Sequence, residues 1–82
     1  MDGLYNYKVQ EPIFREYLRE LGEEQLLRVA RDYVFLCETS LGGPWKIDVF
    51  RRDVIREEFP RRGEPEFFEV ADNFIRNSLK RL

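Results

Sequence analysis

The chain has no histidine and a single cysteine, Cys37. Without histidine, the Ser-His and Cys-His nucleophile pairs and every imidazole acid or base are excluded. One cysteine cannot close an intrachain disulfide, and the two commonest zinc ligand types are almost missing, so no structural zinc site is expected. No run approaches the roughly 18 consecutive apolar residues of a membrane-spanning helix. The first twenty residues already carry Asp2, Lys8, Glu11, Arg15, Glu16, Arg19 and Glu20, a charge density foreign to a secretory leader. No membrane association is expected, and the default address is cytoplasmic. Glycine is scarce, and Leu41-Gly42-Gly43-Pro44 lacks both the dinucleotide fingerprint and the Lys-Ser/Thr of a phosphate loop. No nucleotide or other cofactor is implied.

What remains is 82 residues, 43% hydrophobic, 15% aromatic and 37% charged, too apolar for a disordered tail and sufficient for one small core. The expected organisation is a single domain over 1–82. Formal charge is -2, the wrong sign for a surface that grips a polyanion throughout. Basic residues favour the second half, however, and 11 of the 14 are arginine, which forms bidentate contacts to carboxylate or phosphate.

Apolar spacing predicts a mainly α fold, a small bundle of about four helices. The opening Leu4-Tyr5-Asn6-Tyr7-Lys8-Val9 is rich in aromatic and β-branched residues and reads as an extended arm over 1–11. A helix follows over 12–21, with Pro12 in its first turn and Ile13, Phe14, Tyr17, Leu18 and Leu21 as its buried stripe. Gly22 suits a left-handed C-cap. The next helix, 23–39, carries Leu26, Leu27, Ala30, Tyr33, Val34, Cys37 and Leu41 on one stripe, and Leu41-Gly42-Gly43-Pro44 ends it. A third helix begins at 44 or at Asp48 as N-cap and runs to 59, with Asp48 and Arg52 paired; Pro60-Arg61-Arg62-Gly63-Glu64-Pro65 is read as a surface loop. A fourth helix covers 65–81, with Phe67, Ala71, Phe74, Ile75, Ser78, Leu79 and Leu82 inward. The rival template is α+β: Trp45, Ile47 and Val49 alternate with Lys46 and Asp48, and a hairpin about Gly42-Gly43 would pair them with Tyr33-Val34-Phe35-Leu36.

Catalytic candidates are few. Cys37 falls on an apolar stripe with no base to activate it and reads as packing. Of the neighbouring carboxylates, Glu23/Glu24 compensate a helix dipole and Glu57/Glu58 belong to a solvated face, since adjacent helical residues point about 100° apart. Neither an enzyme nor a metal site is expected. Two features are positive. Arg51, Arg52, Arg56, Arg61 and Arg62 place five guanidinium groups in twelve residues, and the aromatic surplus leaves Tyr5, Tyr7 and Trp45 outside the helical stripes. Arginine and aromatics together are the usual material of protein–protein hot spots. The favoured expectation is therefore a non-enzymatic interaction module, regulatory or adaptor in kind, that binds a protein partner or itself as a homodimer. The alternative is a small nucleic-acid-binding regulator in which the arginine helix and loop meet phosphates, arranged as a helix-turn-helix. Asp48, Asp53, Glu57, Glu58, Glu64 and Glu66 lie in or beside the same stretch and would neutralise much of its potential.

Overall fold

The computed structural model describes the backbone of residues 4–81 and the side chains of residues 9–81. Four helices follow one another: α1 Leu4–Arg19, α2 Glu23–Thr39, α3 Lys46–Arg61 and α4 Glu66–Lys80. This is the expected helical bundle. Among the described residues there is no strand, so the hairpin about Gly42-Gly43 is not formed, and Tyr33 to Leu36 are helical.

The core holds Leu18 of α1, Leu26, Ala30 and Val34 of α2, Val54, Ile55 and Phe59 of α3, and Phe68 and Ala71 of α4. α2 is central. It packs along α4, where Ala30 and Ala71 are both fully buried and allow close approach, and along α3; α3 in turn carries α1 and touches α4. Phe59 and Phe68 meet edge to face at 6.2 Å, the geometry the ring quadrupoles favour. The Cα trace measures 40 × 34 × 15 Å. Two packed helices are about 13–15 Å deep at this level, so the molecule is a plate one helix-on-helix contact thick. An edge helix such as α1 is thus covered on one side only.

Several boundaries differ from those expected. The arm over 1–11 is not extended: the helix begins at Leu4 and passes through Pro12, whose ring removes one backbone donor but leaves the remaining ladder to carry the turn. A β-preference read from a few residues is weak against a four-residue apolar spacing, and Val9, Ile13 and Tyr17 continue one across the proline. Gly22 is extended, with φ -71°, and serves as the N-cap of α2, not as a left-handed C-cap; its N–H donates to Gln25 Oε1 at 2.9 Å. α3 is capped at Trp45, not Asp48, and it continues through Pro60 to Arg61, where a loop was expected. A proline in the last turn leaves its i-4 carbonyl free but does not stop the helix. The stop falls at Gly63, whose φ of +81° suits glycine; its N–H reaches Pro60 O at 2.9 Å and the Glu64 N–H reaches Phe59 O at 2.8 Å. Leu41 lies beyond α2 and is 99% exposed, so it does not extend the buried stripe. On α4 the deepest residues are Phe68 and Ala71, while Phe74 faces outward with the Arg31 guanidinium 4.5 Å over its ring.

Candidate interaction surface

The arginine-rich segment divides between two tasks. Its far end belongs to the fold. Glu58, expected on a solvated face, is 4% exposed, because Val54, Ile55, Glu58 and Phe59 share the buried side of α3. Arg61 Nε and Nη2 donate to its two oxygens at 2.9 and 2.7 Å, and Arg62 Nε donates to Oε2 at 2.9 Å. Those bonds, Arg61's first among them, hold the Glu58 carboxyl down at about 2 against the opposing effect of burial. Arg62 also donates through Nη2 to Leu18 O at 2.7 Å and Leu21 O at 2.9 Å. Leu18 O, in the last turn of α1, also accepts the Leu21 N–H at 3.1 Å, and Leu21 O lies past the helix end, so a side chain from the end of α3 closes the α1–α2 turn. Arg52 turns to Asp53 at 3.3 Å, and Arg56 lies 3.9 Å from the same carboxylate with its guanidinium 5.0 Å over the Phe68 ring. The five arginines therefore do not form one patch.

Arg51 differs. Among the described residues it pairs with no carboxylate; Nη1 donates to the Tyr33 hydroxyl at 3.3 Å, and the guanidinium stands 5.7 Å from the Phe14 ring centre. Phe14 stacks on Tyr17 at 6.0 Å and meets Tyr33 edge-on at 6.4 Å. α1 thus contributes two faces where a single buried stripe was expected. Phe14, Leu18 and Leu21 turn inward, whereas Ile13 and Tyr17 turn out with Val9 to form an i, i+4, i+8 ridge, at 70%, 50% and 66% exposure. Two open grooves border this ridge. One, of about 440 Å³, is lined by Gln10, Ile13, Phe14, Tyr17, Tyr33 and Arg51. The other, about 490 Å³, lies between Ile13 and Tyr17 on one side and Glu16 and Glu20 on the other. A ridge flanked by an aromatic, cationic groove and an acid-rimmed one sets apolar and charged contacts side by side, features a complementary protein surface can meet.

Of the expected binding residues, Trp45 is 75% exposed beside Leu41 on the loop between α2 and α3, a second apolar surface. Tyr5 and Tyr7 lie in the first turns of α1, and their side chains are outside the described residues. Ile13 and Tyr17, expected on a buried stripe, are surface, as is Val9, whereas Phe14 and Tyr33 pack partly buried against the core and also line the groove. The available signal was the unbroken four-residue row Val9, Ile13, Tyr17, offset from Phe14 and Leu18. The Cys37 thiol is buried, and burial pushes its pKa up, which keeps it protonated. The neighbouring Glu23 carboxyl raises the pKa of Glu64, but among the described residues no three metal-ligating side chains converge. Among the described residues no helix is long and apolar enough to cross a membrane.

Compared with protein-family models, with curated proteins and with solved structures, the chain matches none.

Proposed function

We propose that this chain is a non-enzymatic protein-interaction module of regulatory or adaptor type, and that α1 is the face it presents. The observation that supports the reading is the Val9–Ile13–Tyr17 ridge with its neighbouring Phe14–Tyr33–Arg51 cluster. Val9, Ile13 and Tyr17 in line leave on the order of 300 Å² of apolar surface, comparable with the largest patch of a typical monomer, a patch that is often functional. Aromatic rings and an arginine already in contact with them lose little conformational freedom on binding, and such residues dominate interface energetics. The nucleic-acid reading draws less support, because Arg52, Arg61 and Arg62 are engaged by carboxylates or backbone carbonyls and Arg56 is shared between Asp53 and a ring.

The test is site-specific photocrosslinking in the native cell, with benzoylphenylalanine at Ile13 and, as control, at Asn73 on the exposed side of α4. Discrete protein adducts from position 13, lost when Tyr17 is also changed to Ala and absent from position 73, are the expected result. Equal yields from both positions would show that α1 has no special role.

A further inference from the structure

We propose that a second copy of this chain occupies the α1 face, the Val9–Ile13–Tyr17 ridge of each copy lying in the Phe14–Tyr33–Arg51 groove of the other. This identifies the partner for the surface proposed above, and rests on that reading.

Three observations carry it. First, the patch contains both halves of its own complement. A two-fold contact joins the same patch on two copies, so it requires a projection and a matching recess side by side; here the ridge and the Gln10–Phe14–Tyr33–Arg51 groove are adjacent and share Ile13 and Tyr17. Second, the ridge is an i±4 row. Rows of this kind interdigitate when the helices cross at about -50°, the commonest class of helix packing, and a two-fold axis parallel to the row, between ridge and groove, produces that crossing. Third, the charges are arranged to match under the same operation. Across the patch the order is Arg51, groove, ridge, then Glu16 and Glu20. Turning one copy over about an axis midway between groove and ridge sets each ridge in the other's groove and brings Glu16 and Glu20 of one copy to Arg51 of the other. Within the described residues of one chain these groups are underused: Arg51 pairs with no carboxylate, Glu20 makes no ion pair, and Glu16 reaches Arg19 only at 3.7 Å. The plate-like shape supplies the motive, since α1 packs mainly on α3 and a second copy would give it a second neighbour.

The experiment is sedimentation equilibrium of the full 82-residue chain and its variants, with circular dichroism to verify folding. Wild type is expected to dimerise to about 20 kDa, twice the 10.0 kDa chain, with a dissociation constant on the order of 10 µM. Ile13→Asp changes an exposed side chain and should weaken the dimer at least ~30-fold with the monomer's helical signal intact. The deciding step is complementation. Glu16→Arg/Glu20→Arg and Arg51→Glu should each be monomeric alone, through like-charge contacts across the axis. An equimolar mixture should form the heterodimer, because both contacts are then restored with opposite sign. Should Arg51→Glu fail to fold through loss of its Phe14 and Tyr33 contacts, Arg51→Gln mixed with wild type replaces it, and loss of one ion pair per heterodimer should give intermediate affinity. A wild-type chain that stays monomeric at ten times the expected constant overturns the proposal, as does a dimer indifferent to Ile13→Asp. The interaction-module reading survives either outcome if photocrosslinking at position 13 yields adducts with a different protein, and falls with the dimer only if it yields none.

Discussion

Replacing Glu58 by glutamine keeps the side chain's size and shape and removes the charge that Arg61 and Arg62 enclose. Its cost follows from the carboxyl's titration. A group that ionises near 2 in the folded chain and near 4.5 when free contributes on the order of 3 kcal/mol to stability at neutral pH. Because the folded value lies below the unfolded one, the contribution is complete above about pH 5 and is lost as the pH falls toward 2. Mutational experience with buried pairs gives a similar figure, roughly 3–5 kcal/mol for removing one partner, and the exposed half of Arg61 argues for the lower end. In a domain of this length such a loss lowers the melting temperature by roughly 12–24 °C. The measurement is urea denaturation of wild type and Glu58→Gln, followed by circular dichroism from neutral pH down to about pH 2. The gap between the two chains should be widest near neutrality and close with acid, since protonated glutamate and glutamine are then nearly equivalent in their hydrogen bonding. A gap that stays constant across the titration would refute the electrostatic account and assign the loss to packing.

Other expectations follow from single contacts. Arg62→Ala should cost about 2–3 kcal/mol in the same urea assay, because it removes one donor each from Leu18 O, Leu21 O and the Glu58 carboxylate, and Arg61→Ala should cost less. Gly63→Ala, forced to φ +81°, should lose about 1–2 kcal/mol, while Gly22→Ala at φ -71° should lose distinctly less. The Cys37 thiol, buried and held protonated, should resist iodoacetamide at neutral pH and react once urea unfolds the chain, with mass spectrometry reading the adduct.

The four helices were legible because each carries its own period. Leu26, Ala30, Val34 and Cys37 recur at helical spacing on α2, which ends at Thr39 with Ser40 extended, and the two positive-φ glycines, Gly42 and Gly43, follow in the turn. The ends were less legible because they are decided by long-range partners. Pro60 reads as a breaker from its neighbours alone, yet the helix continues past it since Glu58 holds Arg61 and Arg62 in the last turn. Glu58 itself carried no sign of burial in the sequence. Its position in the same row as Val54 and Ile55 was visible, but a carboxylate there is stable only with two guanidinium groups beside it, and the second of these is oriented by carbonyls more than forty residues away.

The same dependence explains why the candidate surface emerged on α1 instead of on the arginine cluster. Charge spacing along the chain shows that guanidinium groups are close in sequence; it does not show which are already satisfied. Of five, Arg62 is committed to a helix end, Arg61 to a buried carboxylate, and Arg52 and Arg56 to Asp53, which leaves Arg51 with only a hydroxyl and a ring. The apolar count misled in the opposite direction. Ile13, Phe14, Tyr17, Leu18 and Leu21 look like one broad buried stripe, but a helix at the edge of a plate has a neighbour on one side only, so half of that stripe is left to water. Which half depends on where α3 lies. Once α3 takes Leu18 and Leu21, Ile13 and Tyr17 must face out, beside the one arginine of the five that pairs with no carboxylate within the described chain. The candidate surface is therefore what remains after the fold has taken the side chains it needs, and residue type alone does not identify it.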